Sequence, residues 1–147
     1  MKIELNNDEY RILLDILYTA DWVLNANKLE ADEATADHKE LEQKLLALAK
    51  ENGFENLITY DEELESYCPT PEFDDSGVMD YIEEYDNEAF WRKLPEVLSG
   101  RDIAEKYTQA DFEKFTDEEK IKIIGDSEAV YYDELESHGL KNLRISK

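Results

Sequence analysis

Apolar residues near the start of the chain recur at the spacing of one face of an α-helix. The intervals between them are four, three and four residues, which is the period of a helix that buries one side. Residues 6–8 are Asn, Asn and Asp, and such residues cap helix starts. The pattern therefore predicts a helix over residues 7–25. The stripe that this helix would bury consists of Leu13, Leu17, Ala20 and Leu24.

A second apolar stripe, again with steps of three and four residues, predicts another helix over residues 33–52. Gly53 follows it, and glycine is the usual residue at the left-handed position that ends a helix. Two helices joined by a short connection favour an antiparallel hairpin. The stripe of the second helix consists of Ala34, His38, Leu41, Leu45 and Leu48.

Shorter elements are expected beyond this hairpin. Residues 61–67 are compatible with one or two helical turns, and a further helix is expected from Val78. Pro95 has no backbone N–H to donate, so we expect a kink or a new helix start there. Thr116 and Glu119 have the Thr-x-x-Glu spacing of a capping box, which predicts another helix start.

The two ends of the chain are compatible with strands. Residues 2–5 alternate in polarity, and a small two-stranded β pairing of the termini would join them to residues 140–145. The whole pattern predicts a mainly α fold, in which the helical hairpin packs with several shorter helices. At this length, residues 1–147 are expected to form a single acidic helical domain.

The acidic and basic residues are unevenly distributed along the chain, and this distribution suggests where a binding surface lies. The 147 residues include 38 acidic and 16 basic side chains, and the formal net charge is −22. No Lys or Arg occurs between Lys50 and Arg92, whereas the residues between them include 14 acids. The rest of the chain has a net charge of only −8.

Aromatic residues are interleaved with these acids, which is unusual for a disordered acidic tail. We therefore expect residues of about 55–91 to form an acidic–aromatic face that binds a basic surface of another protein. A DNA mimic, whose carboxylates imitate phosphates, is an alternative within the same class. A third interpretation is that the charge merely keeps the domain soluble. The candidate binding residues are Tyr60, Glu62, Glu63, Glu65, Tyr67, Asp74, Asp75, Tyr81, Glu84 and Tyr85.

The same charge argues against other partners. The average surface would repel nucleic-acid phosphates and anionic membranes, so neither is expected to bind directly. No apolar stretch approaches the roughly 18 residues of a membrane span. A lone cysteine, Cys68, excludes an internal disulfide framework, and the apolar run of a signal peptide is missing. A cytoplasmic location is therefore expected.

Tyr18 and Trp22 lie one turn apart on the first predicted helix, on its more polar side. One interpretation is a central helix that the rest of the chain covers on all sides. The other is that these two aromatic residues anchor a homodimer or partner contact, since aromatic side chains are enriched at interfaces.

The stretch in which basic residues return suggests a small-ligand cleft as the alternative to protein binding. Trp91, Arg92 and Arg101 could bind a ligand carboxylate or phosphate, with Asp21 as a buried acid. The simpler interpretation is a packed helix in which Arg101 pairs with an acid and the buried residues are Phe90, Leu94, Val97 and Leu98. No catalytic motif is found, which favours a binding protein over an enzyme.

No metal or cofactor is expected. His38 and His138 are the only histidines, and neither has the spacing of a zinc or di-iron ligand. The acidic segments lack the register of a calcium loop. Cys68 has acidic neighbours, which raise rather than lower a thiol pKa, so a reactive thiol is not expected either.

Overall fold

The structure is a computed structural model that describes residues 2–28, 30 and 32–144. These residues contain six α-helices and one two-stranded antiparallel sheet, so the predicted mainly α fold is confirmed. The chain divides into a first unit that ends at Glu84 and a second that begins at Tyr85. The prediction of a single domain over residues 1–147 stays a prediction.

Helix α1 (Asn7–Asn25) begins at a capping box. The Asn6 side chain accepts a hydrogen bond from the Glu9 backbone N–H at 3.0 Å, and the Glu9 carboxylate accepts one from the Asn6 N–H at 2.8 Å. Two backbone donors at the helix start are thereby paired. Asp8 and Glu9 in the first turn add favourable charge at the positive end of the helix.

A 3₁₀ turn (Glu33–Thr35) leads into helix α2 (Ala36–Leu46), which packs antiparallel to α1. Near one end, the Tyr10 hydroxyl donates to the Leu45 carbonyl at 2.6 Å. Near the other end, the Thr35 hydroxyl donates to Asn25 Oδ1 at 2.8 Å. The predicted helical hairpin is therefore present, although its second α-helix is shorter than residues 33–52.

The predicted stripe on the second helix is wrong in its rotation about the helix axis. Leu41 is 58% exposed and Leu48 is 41% exposed. The residues that turn inward are Thr35, Glu42, Leu46 and Ala49. These positions also recur at helical spacing, and the ion pair between Glu42 and Lys39 allows a carboxylate to occupy one of them. On α1 the fully buried residues are Tyr10 and Leu14, which lie beside the predicted stripe.

A β-hairpin replaces the helical turns predicted for residues 61–67. Strand β1 (Ile58–Asp61) pairs with β2 (Ser66–Pro69), with Thr59 opposite Cys68 and Tyr60 opposite Tyr67. The predicted pairing of the termini is also wrong: residues 2–5 and 140–144 form no strand, and Ile145 lies outside the described residues.

Helix α3 (Pro71–Asp74) is short, but it places Phe73 in the core of the first unit. The core also contains Val78 from the start of α4 (Val78–Lys106). Phe73 is 0% exposed. Isolated four-residue helices are unstable in water, so α3 depends on this burial.

Helix α4 continues without a break through Pro95. The new helix start predicted at this proline is therefore wrong. Its later turns pack antiparallel to α6 (Asp117–His138) in the second unit. Tyr132 Oη donates to the Arg92 carbonyl at 3.2 Å, and Arg101 donates to Tyr131 Oη at 3.0 Å.

The short helix α5 (Gln109–Phe112) and the start of α6 complete the second unit. Thr116 and Glu119 form the capping box predicted from their spacing. The rings of Tyr107, Phe112 and Phe115 lie within 6.4 Å of one another and hold the connection between α4 and α6.

The hairpin loop contains a strained residue whose replacement should stabilise the chain. Glu65 has a φ of 49°, in the left-handed region that disfavours residues with a Cβ. Glu65→Gly is therefore expected to raise the free energy of unfolding by up to about 1 kcal/mol. Glu63→Gly is the matched control, because Glu63 has no positive φ, and it should lower that free energy by about 0.5–1 kcal/mol. Thermal unfolding of both variants measures the difference, and equal shifts would contradict it.

Candidate protein-binding surface

The paired tyrosines of the hairpin give the two strands one aromatic face. The rings of Tyr60 and Tyr67 lie 5.1 Å apart in an edge-to-face arrangement, which is a favoured aromatic geometry. Tyr67 packs against the core of the first unit, whereas Tyr60 is 50% exposed. One tyrosine therefore fixes the hairpin and the other is presented to solvent.

The loop of residues 62–65 is held by the side chain of the residue before it. Asp61 Oδ1 accepts hydrogen bonds from the backbone N–H groups of Glu63 at 2.8 Å and Leu64 at 3.0 Å. An aspartate in this role makes a tight turn without glycine. The side chain of Leu64 is 68% exposed at the loop, and its acidic neighbours are exposed too.

Helix α2 holds the hairpin through one side chain, Gln43. Its amide accepts a hydrogen bond from the Tyr67 N–H at 2.7 Å and donates one to the Tyr67 carbonyl at 3.0 Å. This two-way contact attaches strand β2 to the helical hairpin. The acidic loop is therefore carried by a supported strand pair.

The acids between Lys50 and Arg92 have no ion-pair partner among the described residues. Every salt bridge in the described part of the chain uses an acid outside that segment. Outside that segment, basic side chains often lie beside acidic ones; for example, Lys44 Nζ lies 2.5 Å from the Glu40 carboxylate. The charge of the hairpin is left for water or for a partner to neutralise.

We refer to Tyr60, the loop residues 62–65 and Tyr67 as the acidic hairpin. It brings together five of the ten candidate residues. Among the described residues, no hydrogen bond, ion pair or ring contact joins the other five to it. Asp74 ends α3, Asp75 follows it, Tyr81 and Glu84 lie in the first turns of α4, and Tyr85 begins the second unit.

Tyr18 contacts other residues of the first unit through both its ring and its hydroxyl. Its ring lies 5.1 Å from that of Phe73, and its hydroxyl donates to Asp74 Oδ1 at 3.2 Å. Burial and the neighbouring Asp74 raise the pKa of Tyr18. Trp22 stacks on Tyr18 and keeps part of its ring at the surface. The homodimer contact predicted for this pair stays a prediction.

The residues predicted to form a ligand cleft are divided between two places in the second unit. Trp91 and Arg92 line a cavity of about 540 Å³ together with Tyr132 and Leu135. Arg101 is not among its lining residues; it bonds instead to Asp102 at 2.7 Å and to a tyrosine of α6. The two arginines are nine positions apart on the helix, which is about 14 Å along the axis.

Asp21 belongs to a separate cavity of about 800 Å³ in the first unit. Its carboxylate accepts hydrogen bonds from Asn25 at 2.8 Å and Lys39 at 3.2 Å. Burial lowers the pKa of Lys39, but contacts with Glu42 and Asp21 outweigh it and raise that pKa overall. Burial is also the main reason why the pKa of Glu42 is raised, although Lys39 opposes this. The group is a paired polar cluster between α1 and α2.

Two residues of this surface were absent from the sequence-based candidates. Gln43 was missed because nothing in the neighbouring sequence distinguishes it from the other polar residues of the helix. Leu64 was missed because residues 61–67 were interpreted as helical turns. A tyrosine on each side of an Asp-led polar loop was an available signal for a hairpin.

Comparison with protein-family models, curated proteins and solved structures finds no match to this chain. None of the described helices is long and apolar enough to cross a membrane. In the same residues, no group of three or more His, Cys, Asp or Glu side chains is arranged to hold a metal ion.

Proposed function

We propose that this chain is a protein-interaction module whose acidic hairpin binds a basic segment of another protein. The observation that carries the proposal is the lack of ion-pair partners for the acids between Lys50 and Arg92 among the described residues. Complementary charge on a partner would speed encounter and set specificity.

The aromatic and apolar residues of the hairpin support recognition of a protein rather than simple solvation. Tyr60 and Leu64 are both at least half exposed beside the acids. A tyrosine face attracts Lys and Arg side chains, and an apolar neighbour packs on their methylene stems. A surface that only maintained solubility would need neither residue.

The DNA-mimic and small-ligand alternatives have less support. A mimic needs carboxylates in regular rows, whereas Glu62, Glu63 and Glu65 occupy one tight loop. A ligand site built on Arg92 and Arg101 together is not supported by their separate surroundings. Protein binding through the hairpin therefore remains the stronger hypothesis.

The proposal predicts that removing the charge of the loop weakens binding of a basic peptide. The probe is an octapeptide of alternating lysine and valine, and the variant is Glu62→Gln, Glu63→Gln, Glu65→Gln. Loss of three charges beside the bound peptide should raise Kd about tenfold at low salt, and added salt should weaken binding to the unmodified chain. Isothermal titration calorimetry measures both effects.

The matched control is Glu105→Gln, Glu118→Gln, Glu136→Gln, which removes three exposed acids from the second unit. Both triple variants have the same net charge, so a binding term that depends only on total charge would change Kd equally. Equal losses, or no binding of the peptide to the unmodified chain, would refute the proposed function.

A further inference from the structure

The hydrogen bonds of the hairpin alternate along the two strands. In an antiparallel pair, opposite residues alternate between pairs that exchange both backbone bonds and pairs that exchange none. The Thr70 N–H donates to the Leu57 carbonyl at 2.9 Å, just beyond the strands. Since Thr59 lies opposite Cys68 two residues further on, that pair exchanges bonds as well. Tyr60 and Tyr67, which come next, exchange none.

The outer edge of β2 is closed. Both backbone groups of Tyr67 point away from β1 and are taken by the Gln43 amide, at 2.7 and 3.0 Å. The other residue of β2 that points outward is Pro69, which has no N–H to offer. A further strand therefore cannot pair with this side of the sheet.

The outer edge of β1 is open at Tyr60. By the same alternation, the Tyr60 N–H and carbonyl point away from β2. No side chain and no loop or helix backbone of the described residues bonds to either group. Two residues earlier on the same edge, the Ile58 N–H already donates to the Phe54 carbonyl at 3.1 Å. An edge strand with unpaired groups is a template for an added strand.

The acidic side chains beside the open edge of β1 favour an added strand with basic side chains. Glu62, Glu63 and Glu65 lie in the loop that follows β1, and Glu55 lies three residues before the first residue of β1. None of the four has an ion-pair partner among the described residues. An extended segment with Lys or Arg side chains would satisfy the backbone groups and the carboxylates together. A second copy would bring two sets of like charges into contact, which disfavours self-pairing.

We propose that the basic partner binds as an added β-strand on the open edge of β1, with its backbone bonded to the N–H and carbonyl of Tyr60. This inference rests on the proposed function and specifies how the partner is bound. Affinity then comes from backbone bonds as well as charge, and an unstructured basic tail becomes a better partner than a folded basic surface.

A matched pair of substitutions at one position tests strand addition. Tyr60→Pro and Tyr60→Val both remove the ring, but only proline also removes the outward N–H, which the hairpin itself does not use. We expect Tyr60→Val to bind the lysine–valine octapeptide more weakly than the unmodified chain because the ring is lost, and Tyr60→Pro to bind about tenfold more weakly than Tyr60→Val because the backbone bond is lost as well. Equal affinities of the two variants would count against the added strand.

Amide hydrogen exchange of the unmodified chain gives a second test that does not depend on a variant folding. Saturating octapeptide should slow exchange of the Tyr60 amide by about tenfold or more, because a bonded amide exchanges only when it opens. Salt-sensitive binding with unchanged Tyr60 exchange would overturn strand addition and leave the proposed function standing. Absence of peptide binding would overturn both. If a higher concentration of the chain alone, without the octapeptide, slowed exchange of the Tyr60 amide, the occupant of the edge would be a second copy. That result would overturn the basic partner.

Discussion

Phe73→Ala is expected to lower the free energy of unfolding of the first unit by about 3–5 kcal/mol, the largest effect of any single substitution that we predict. The ring is 0% exposed, lies 5.1 Å from the Tyr18 ring and has the Arg11 guanidinium 4.9 Å from its centre. Alanine would leave a cavity and remove both contacts. Helix α3, which has no other fully buried side chain, would lose its attachment as well.

The measurement is urea unfolding followed by tryptophan fluorescence in a Trp91→Phe background. Trp22 is then the one remaining tryptophan of the chain, and it stacks on Tyr18 beside the altered site. Phe90→Ala is the matched control, because Phe90 is half exposed and should change stability by less than about 1 kcal/mol. If both alanine variants unfolded at the same urea concentration, Phe73 would not be the central core residue that its burial implies.

Alkaline pH should destabilise the chain through Tyr10. Burial raises the pKa of Tyr10 to about 12 from the usual value near 10. The folded state therefore favours the protonated phenol, and this part of the stability is fully present below pH 10. It declines as the pH rises from 10 through 12, with a loss of about 2–3 kcal/mol for a shift of this size.

Tyr10→Phe separates this effect from the general repulsion of an acidic chain at high pH. The variant loses the hydrogen bond to the Leu45 carbonyl, so it should be less stable by about 1 kcal/mol at pH 9. It should then lose about 2–3 kcal/mol less than the unmodified chain between pH 9 and pH 12. Parallel losses in urea unfolding at the two pH values would show that Tyr10 does not titrate as a buried phenol.

Local signals were sufficient to predict the helix starts. Asn6 with Glu9, and Thr116 with Glu119, each satisfy backbone donors within three residues, so no distant contact is needed to form these capping boxes. The antiparallel helix pair also followed from apolar spacing and a short connection. These elements are decided by neighbours in the sequence.

The rotation of α2 and the hairpin depend on distant residues, which is why they were predicted wrongly. Glu42 faces inward beside Lys39, which lies 2.6 Å from its carboxylate and also bonds to Asp21 of α1, 18 residues away in sequence, although a carboxylate usually marks the exposed side of a helix. The sheet is completed by Gln43, which is 24 residues from Tyr67 in sequence. Composition identified the acidic segment, but the small surface that presents Tyr60 and Leu64 is defined only once these contacts are known.

The Gln43 contact also limits how far this chain could polymerise through its sheet. The Gln43 amide uses one N–H and its carbonyl oxygen as a peptide group would, so helix α2 occupies the place where a third strand would pair. Two copies forced together at high concentration could join through their β1 edges, but both outer edges of the resulting four strands would then be closed by Gln43 and Pro69. Edge-to-edge growth would end at a pair, and a fibre of the cross-β kind could not extend from the folded chain.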